Sequence, residues 1–159
     1  MLFSQGIPLD RATFVTILYR IQCTIPAGVY SNPFNDVPEG MWYTDAVKWA
    51  AANGIVTGYG DGSGRFGPGD NITREQVTAI LSRYANFAGV AMPSVYSYTG
   101  FTDSEKIASF AQDAVSRMVR AGIITGYLDG SFKPQGEATR AETAAIVHRF
   151  IEAARRAMK

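Results

Sequence analysis

The amino-acid sequence predicts an all-α fold assembled from helix–loop–helix repeats, and three observations carry that reading. One helix start occurs three times: Leu9-Asp10-Arg11-Ala12-Thr13, Ile72-Thr73-Arg74-Glu75-Gln76 and Ala138-Thr139-Arg140-Ala141-Glu142. Counting from each arginine, positions +3, +6, +7 and +10 trace one helix face. They are Phe14, Ile17, Leu18 and Ile21, then Val77, Ile80, Leu81 and Tyr84, then Thr143, Ile146, Val147 and Phe150. No segment reads convincingly as a strand. Position +9 is arginine each time, as Arg20, Arg83 and Arg149. Units repeated at this interval bury their apolar faces against their neighbours.

The elements follow in order. The first helix, over about 9–22, has Asp10 as its cap, and Thr13 is a poor partner for a reciprocal bond. Segment 23–33 carries Pro, Gly, Ser and Tyr without periodicity and reads as a connector. Phe34-Asn35-Asp36-Val37 leads into a helix over about 42–53 that carries Trp42-Tyr43 and Ala46-Val47. Gly54 fits the left-handed position just past its end. Gly58-Tyr59-Gly60-Asp61-Gly62 then turns the chain. The helix over 73–88 begins with Thr73 and Gln76, the two members of a capping box. After a second connector, 89–100, the pattern returns as Phe101-Thr102-Asp103, Phe110-Ala111 and Ala114-Val115. This helix, over 107–121, ends at Gly122. Gly126-Tyr127-Leu128-Asp129-Gly130 forms the turn, and Thr139 with Glu142 caps a last helix over 139–157. The chain thus reads as one domain, 1–159, with a partial repeat at 1–22 and full repeats at 34–88 and 101–157. Phe3 stands where Phe66 and Phe132 stand later, and the first unit has no front helix.

Composition narrows the function classes. The 159 residues are 47% hydrophobic, enough for one packed core. Fifteen Lys and Arg against fourteen Asp and Glu leave no field to draw nucleic acid or anionic lipid. No apolar run has the length of a membrane span. Met1-Leu2-Phe3 does not open a signal peptide, so an export signal is expected outside this segment. Cys23 is alone, which leaves no internal disulfide. The glycine-rich stretch from Asp61 to Asp70 lacks the ligand spacing and terminal Glu of a calcium loop. His148, the single histidine, has no motif around it. No metal or cofactor is expected, and no nucleophile or catalytic pair stands out.

The combination of Phe34-Asn35-Asp36-Val37, Trp42, Ala46-Val47, Gly54-Ile55-Val56-Thr57-Gly58-Tyr59, Asp61-Gly62, Phe66, Pro68 and Ile72-Thr73-Arg74-Glu75 resembles the S-layer homology (SLH) family. The later unit repeats it with departures: Ser104 for the Val after Asp103, and Phe110 for the Trp. Elsewhere Asp10, Thr13 and Gln76 replace motif residues. The resemblance implies a pseudo-threefold bundle of the Arg-led helices, with the front helices as prongs and grooves between them. It implies a module anchoring a larger exported or S-layer protein non-covalently to the bacterial envelope. Its ligand would be secondary cell-wall polysaccharide or a peptidoglycan-linked glycan, often bearing a pyruvylated amino sugar with a carboxylate.

Candidate glycan-binding residues follow from both lines. Arg11, Arg74 and Arg140 sit in a first helical turn, where the macrodipole disfavours a cation. With free backbone N–H groups they would form a carboxylate site. The competing reading pairs them internally with Asp36, Asp61 or their later equivalents. Trp42, Tyr59 and Tyr127 suit stacking on a sugar ring, against core packing. Gly58 and Gly126 allow a ligand close to the backbone, or simply a tight turn. Asp36 and Asp103 could accept sugar hydroxyls, or brace the following turn. Trp49, with Arg117 in its later place, reads as packing or surface. The missing front helix predicts that Phe14, Ile17, Leu18 and Ile21 are partly uncovered and invite self-association or a helix of the parent chain. A structural helical repeat docking another protein is the alternative function. An enzyme is not expected in this segment.

Overall fold

The computed structural model describes residues 6–22, 24–25 and 28–159; Phe3 and Cys23 lie outside the described residues. Among the described residues five α-helices form: α1 Arg11–Ile21, α2 Thr44–Ala52, α3 Arg74–Phe87, α4 Gln112–Arg120 and α5 Arg140–Ala157. Among the described residues there is no strand, only three isolated β-bridges. The fourth helix starts later than its pattern predicts. Ser104–Lys106 forms a 3-10 turn, and neither Ala111 before α4 nor Tyr43 before α2 supplies a side-chain cap. The Arg-led helices are all capped. Thr73 with Gln76 and Thr139 with Glu142 form complete capping boxes. At α1 only the Asp10 carboxylate accepts, from Thr13 N at 2.7 Å. Gly54 and Gly122 follow α2 and α4 with positive φ, as the C-terminal signal requires.

The chain divides into two compact units, Asp10–Asn71 and the described residues up to Leu9 with Ile72–Lys159. In the first, α1 packs on α2, the front helix of the following repeat. Phe14 and Leu18 are fully buried, against the expectation of a partly uncovered face, whereas Ile17 and Ile21 are half-buried. Trp49 is also fully buried, with its ring 5.4 Å from Tyr19 of α1 in an edge-on contact. In the second unit α3 packs on α4, with Leu81, Val115, Met118 and Ile123 in the core. Arg117, in the place of Trp49, instead donates to Ser82 O at 3.1 Å and Asn86 Oδ1 at 2.8 Å on α3. An aromatic pair in one unit is thus replaced by a hydrogen-bonded guanidinium in the other. Tyr84 of α3 meets Phe150 of α5 with centroids 5.8 Å apart.

Three buried residues in the second unit, each just before a helix cap, close a ring of backbone hydrogen bonds. Leu9 N donates to Ala138 O (3.0 Å), Ala138 N to Ile72 O (2.9 Å), and Ile72 N to Leu9 O (2.8 Å). The ring consists of one equivalent residue from each repeat.

The Gly-rich loops are braced by aspartates. Asp36 accepts from Phe66 N and Gly67 N, both at 2.8 Å, and Asp103 from Phe132 N and Lys133 N, both at 2.9 Å. Gly67 has φ +73°, and its counterpart Lys133 is held at φ +56°, a left-handed conformation unfavourable for lysine. Burial pushes the Asp103 carboxyl up, but the N–H groups of Phe132 and Lys133 outweigh it and hold it below its ordinary value. A lowered carboxyl stabilises the fold above the unfolded value near pH 4 and loses that contribution as pH falls through the folded value. Asp103→Asn is therefore expected to lower stability at pH 7 by about 1–2 kcal/mol, since one of two N–H groups loses its carboxylate oxygen. It should also flatten the loss of stability below about pH 4 relative to the wild type, as read by urea titrations from pH 7 to pH 2.5. Parallel acid profiles for the two proteins would contradict this.

Candidate functional site

Arg11 and Arg74 each enter a Gly-rich loop, and in both cases the loop belongs to the repeat that follows the arginine. Arg11 Nε donates to Phe66 O at 2.8 Å, and Arg74 Nε to Phe132 O at 2.7 Å. Arg74 also donates through Nη2 to Thr125 O at 3.3 Å and pairs through Nη1 with Glu142 Oε2 at 3.3 Å. The Arg11 guanidinium lies 4.7 Å from the Tyr59 centroid and that of Arg74 4.5 Å from the Tyr127 centroid. Both arginines are buried, Arg74 at 6% exposure. Burial pushes Arg11 below its ordinary value, against the pull of Tyr59, Asp70 and Asp36. The carboxylate paired with Arg74 is Glu142, the capping-box residue of α5, rather than a loop aspartate.

The backbone at these helix starts is also occupied. Arg11 N donates to Asp70 O and Ala12 N to Pro68 O; Arg74 N donates to Gly136 O and Glu75 N to Pro134 O. With the third N–H held by the cap, the first turns of α1 and α3 do not offer the free N–H groups expected for an anion. Arg140 N donates to Ile7 O in the same fashion. Its side chain is exposed and makes no hydrogen bond or ion pair among the described residues.

The tyrosines are held by carboxylates. Tyr59 OH donates to Asp70 Oδ2 at 2.5 Å, and Tyr127 OH to Glu142 Oε1 at 3.0 Å. Burial is the main cause that raises both phenols above their ordinary value, aided by these carboxylates. Lys133 Nζ stands 4.5 Å from the Tyr127 centroid, so this ring already carries two cations. The glycines serve the chain's own packing. A Cβ on Gly58, whose φ is +70°, would lie 2.7 Å from Arg65 O and 2.8 Å from the Phe34 ring. On Gly126 it would lie 2.5 Å from Phe101 and 2.9 Å from Ser131 O. Asp36 and Asp103 spend both oxygens on the loop N–H groups. Among the described residues the most exposed aromatics are Tyr96 at 62%, Trp42 at 57% and, at the place equivalent to Trp42, Phe110 at 52%.

In the second unit a cleft of about 180 Å³ is lined by Arg74, Thr125, Gly126, Tyr127, Glu142 and Arg149, with apolar residues between them. Sequence reasoning passed over Glu142 and Arg149 as site residues. Glu142 carried only a capping signal, and the recurrence of arginine at +9 was the signal for Arg149. Trp42, Asp36, Gly58 and Tyr59 belong to the first unit and do not line this cleft. His148 is exposed, and among the described residues no cluster of three metal-ligating side chains occurs.

Comparison with known proteins agrees with this repeat. The S-layer homology domain model matches residues 33–78 and 100–144, together more than half of the chain. The chain is 35% identical over 144 residues, 91% of its length, to an amylopullulanase of Thermoanaerobacterium thermosulfurigenes, of which it spans 8%. It is 30% identical over 122 residues, 77% of its length, to a cellulosome-anchoring protein of Acetivibrio thermocellus, of which it spans 26%. It is 26% identical over 124 residues to an S-layer protein of Bacillus licheniformis, of which it spans 13%. The chain therefore covers a small part of each of these relatives. Two copies of the repeat are matched in order, and each has a capped Arg-led helix at its end: this chain belongs to the S-layer homology domain family.

Proposed function

We propose that the chain is a non-covalent anchoring module that holds a longer exported protein to the bacterial cell wall by binding wall polysaccharide. One observation carries this reading. Relatives named as an amylopullulanase, a cellulosome-anchoring protein and an S-layer protein share this segment, which spans only 8–26% of each. What such chains have in common is a place rather than a reaction, so we assign no catalysis to the segment. Among the described residues, no helix is long and apolar enough to cross a membrane. On this reading the outer face of the wall holds the protein, and glycan is the partner.

The glycan would lie along the Thr125-Gly126-Tyr127 rim, with Arg74 bracing the loop from below. In the same unit exposed Phe110 supplies a face for the C–H side of a pyranose, and exposed Arg140 a cation; within the first unit Trp42 offers a face of the same kind by itself. An acidic group on the sugar, such as the pyruvate ketal implied by the family resemblance, fits a site rich in guanidinium. The internal use of Arg11 and Arg74 favours a second reading, a helical repeat that docks another protein.

Sedimentation with wall sacculi separates the two. The protein is expected to pellet with sacculi that retain their polymer and to stay in solution once acid extraction has stripped it. Equal pelleting with stripped and intact sacculi would reject polymer recognition, and no pelleting with either would favour the docking reading. Arg74→Ala is expected to cost about 2–3 kcal/mol, because it leaves Phe132 O and Glu142 without their guanidinium. That corresponds to a fall in melting temperature of roughly 4–12 °C, with weaker pelleting below the transition as the loop loosens. Exposed Arg140→Ala should leave melting unchanged. An unchanged melting temperature for Arg74→Ala would contradict its bracing role.

A further inference from the structure

We propose that a hollow in the second unit, separate from the cleft at Arg74, is a subsite for an uncharged sugar residue, with Tyr98 as its stacking face and Ser104 and Gln112 as its hydrogen-bonding groups. This rests on the glycan reading above and adds a place where the chain reads hydroxyls rather than charge.

The hollow holds about 360 Å³ and is lined by Tyr98, Thr99, Gly100, Ser104, Ile107 and Gln112. That volume lies in the range of small-molecule sites, roughly 300–1,000 Å³. The lining offers one aromatic ring, two hydroxyls, an amide and a buried isoleucine, and no charged residue takes part. The cleft, by contrast, is lined by two arginines and a glutamate. The two places therefore suit chemically different ligand groups.

The aromatic wall is anchored. The Tyr98 ring lies 5.5 Å from that of Phe101, and Phe101 lies 5.4 Å from fully buried Phe132, so three rings form a ladder rooted in the core. In the first unit Phe34 and Phe66 repeat the inner pair at 5.3 Å, but Ser31 stands where Tyr98 extends it. A ring held in advance offers its face to a ligand at little cost in ordering.

The polar groups are freed by a change of partners between the units. In the first unit Phe34 N donates to Asn32 Oδ1 at 3.1 Å, and Asn32 Nδ2 donates to Val37 O at 2.7 Å. Thr44 spends its hydroxyl on Pro38 O at 2.6 Å. In the second unit Phe101 N donates instead to Ser104 Oγ at 2.6 Å, and Ser104 replaces the buried Val37. A serine that accepts in this way still has its O–H to donate. Thr99, at the place of Asn32, makes no side-chain hydrogen bond among the described residues. Gln112 starts α4 as Thr44 starts α2, but it is exposed and donates only to Ile107 O at 3.4 Å. Gly100, with φ +104°, keeps the space open, since a Cβ there would lie 3.2 Å from Ser104 Oγ. The Ser104 departure from the repeat, Tyr98, Thr99 and Gln112 thus meet at one place. A ring face beside a donor hydroxyl and an amide that both donates and accepts matches the C–H face and hydroxyls of a pyranose.

The test titrates the full chain calorimetrically with two neutral probes. They are fragments of polymer released from wall sacculi and peptidoglycan strands freed of their peptides, both with their carboxylates methyl-esterified. The variants are Tyr98→Ala, Tyr98→Phe, Gln112→Ala and, as an exposed aromatic outside the hollow, Tyr96→Ala. Tyr98→Ala should lose roughly tenfold in affinity. Gln112→Ala should lose roughly three- to tenfold at an unchanged melting temperature. Tyr98→Phe keeps the ring and should bind as the wild type does, and so should Tyr96→Ala. The probe that responds identifies whether the sugar comes from the polymer or from the peptidoglycan strand. The proposal is overturned if either Tyr98→Ala or Gln112→Ala binds like the wild type, if Tyr96→Ala loses as much, or if the loss in Gln112→Ala is matched by a fall in melting temperature. A wild type that binds untreated polymer but neither neutral probe overturns the subsite alone. One that binds no polymer, treated or untreated, removes the glycan reading with it.

Discussion

The closed ring of backbone hydrogen bonds among Leu9, Ile72 and Ala138 is the constraint on which the rest of this structure leans. Each member sits immediately before a helix cap, and within the second unit the ring fixes where α3 and α5 can begin. Buried backbone N–H and C=O groups must be paired, and here each member's N–H finds a carbonyl of another. In each unit the first N–H of an Arg-led helix donates to a carbonyl that lies, in sequence, two residues before a ring member: Asp70, Gly136 and Ile7. The helix that results carries its arginine at the first position. At α1 and α3 that position delivers the guanidinium to the phenylalanine carbonyl of a loop. A cation in a helical first turn is unfavourable by dipole alone. The loop carbonyls and tyrosine faces offset that cost.

Much of this was legible because it is local. Caps at Asp10, Thr73 and Thr139, the left-handed glycines after α2 and α4, and the helical stripes are all written within a few residues of where they act. The choice of aspartate for loop bracing was also open to inspection, since Asp36 and Asp103 precede their loops at matching distances. The partner of each arginine was not. Arg74 bonds Phe132, fifty-eight residues away, and no periodicity shows that an arginine serves the next loop rather than the one before it. The same long reach fills the first N–H groups of α1 and α3, where local rules suggested an anion site. The late start of α4 has a different cause: Ser104–Lys106 and the turn after it satisfy the backbone without continuing a helix, and the apolar pattern is blind to that.

The two packing pairs show how one architecture tolerates different chemistry. Trp49 meets Tyr19 through ring edges, whereas Arg117 meets Ser82 and Asn86 through hydrogen bonds. Each pair is complementary within itself, and a residue from one would be poorly matched in the other. Trp49 on the Ser82 surface would leave a carbonyl and a hydroxyl without their donor, and Arg117 against Tyr19 would trade fixed acceptors for a ring face. This explains why a single-position comparison of Trp with Arg did not reveal burial. The information lies in the pair.

The hydrogen-bond ring also sets a limit on copy number. In a ring of three, every member gives one hydrogen bond and receives one, so the circuit is saturated. A fourth repeat brought to the same place would find no N–H donor vacant there, and could close into the circuit only by evicting a member. A longer array of such repeats would therefore be divided into sets of three along the chain, each set closed on itself, rather than extended as an open stack.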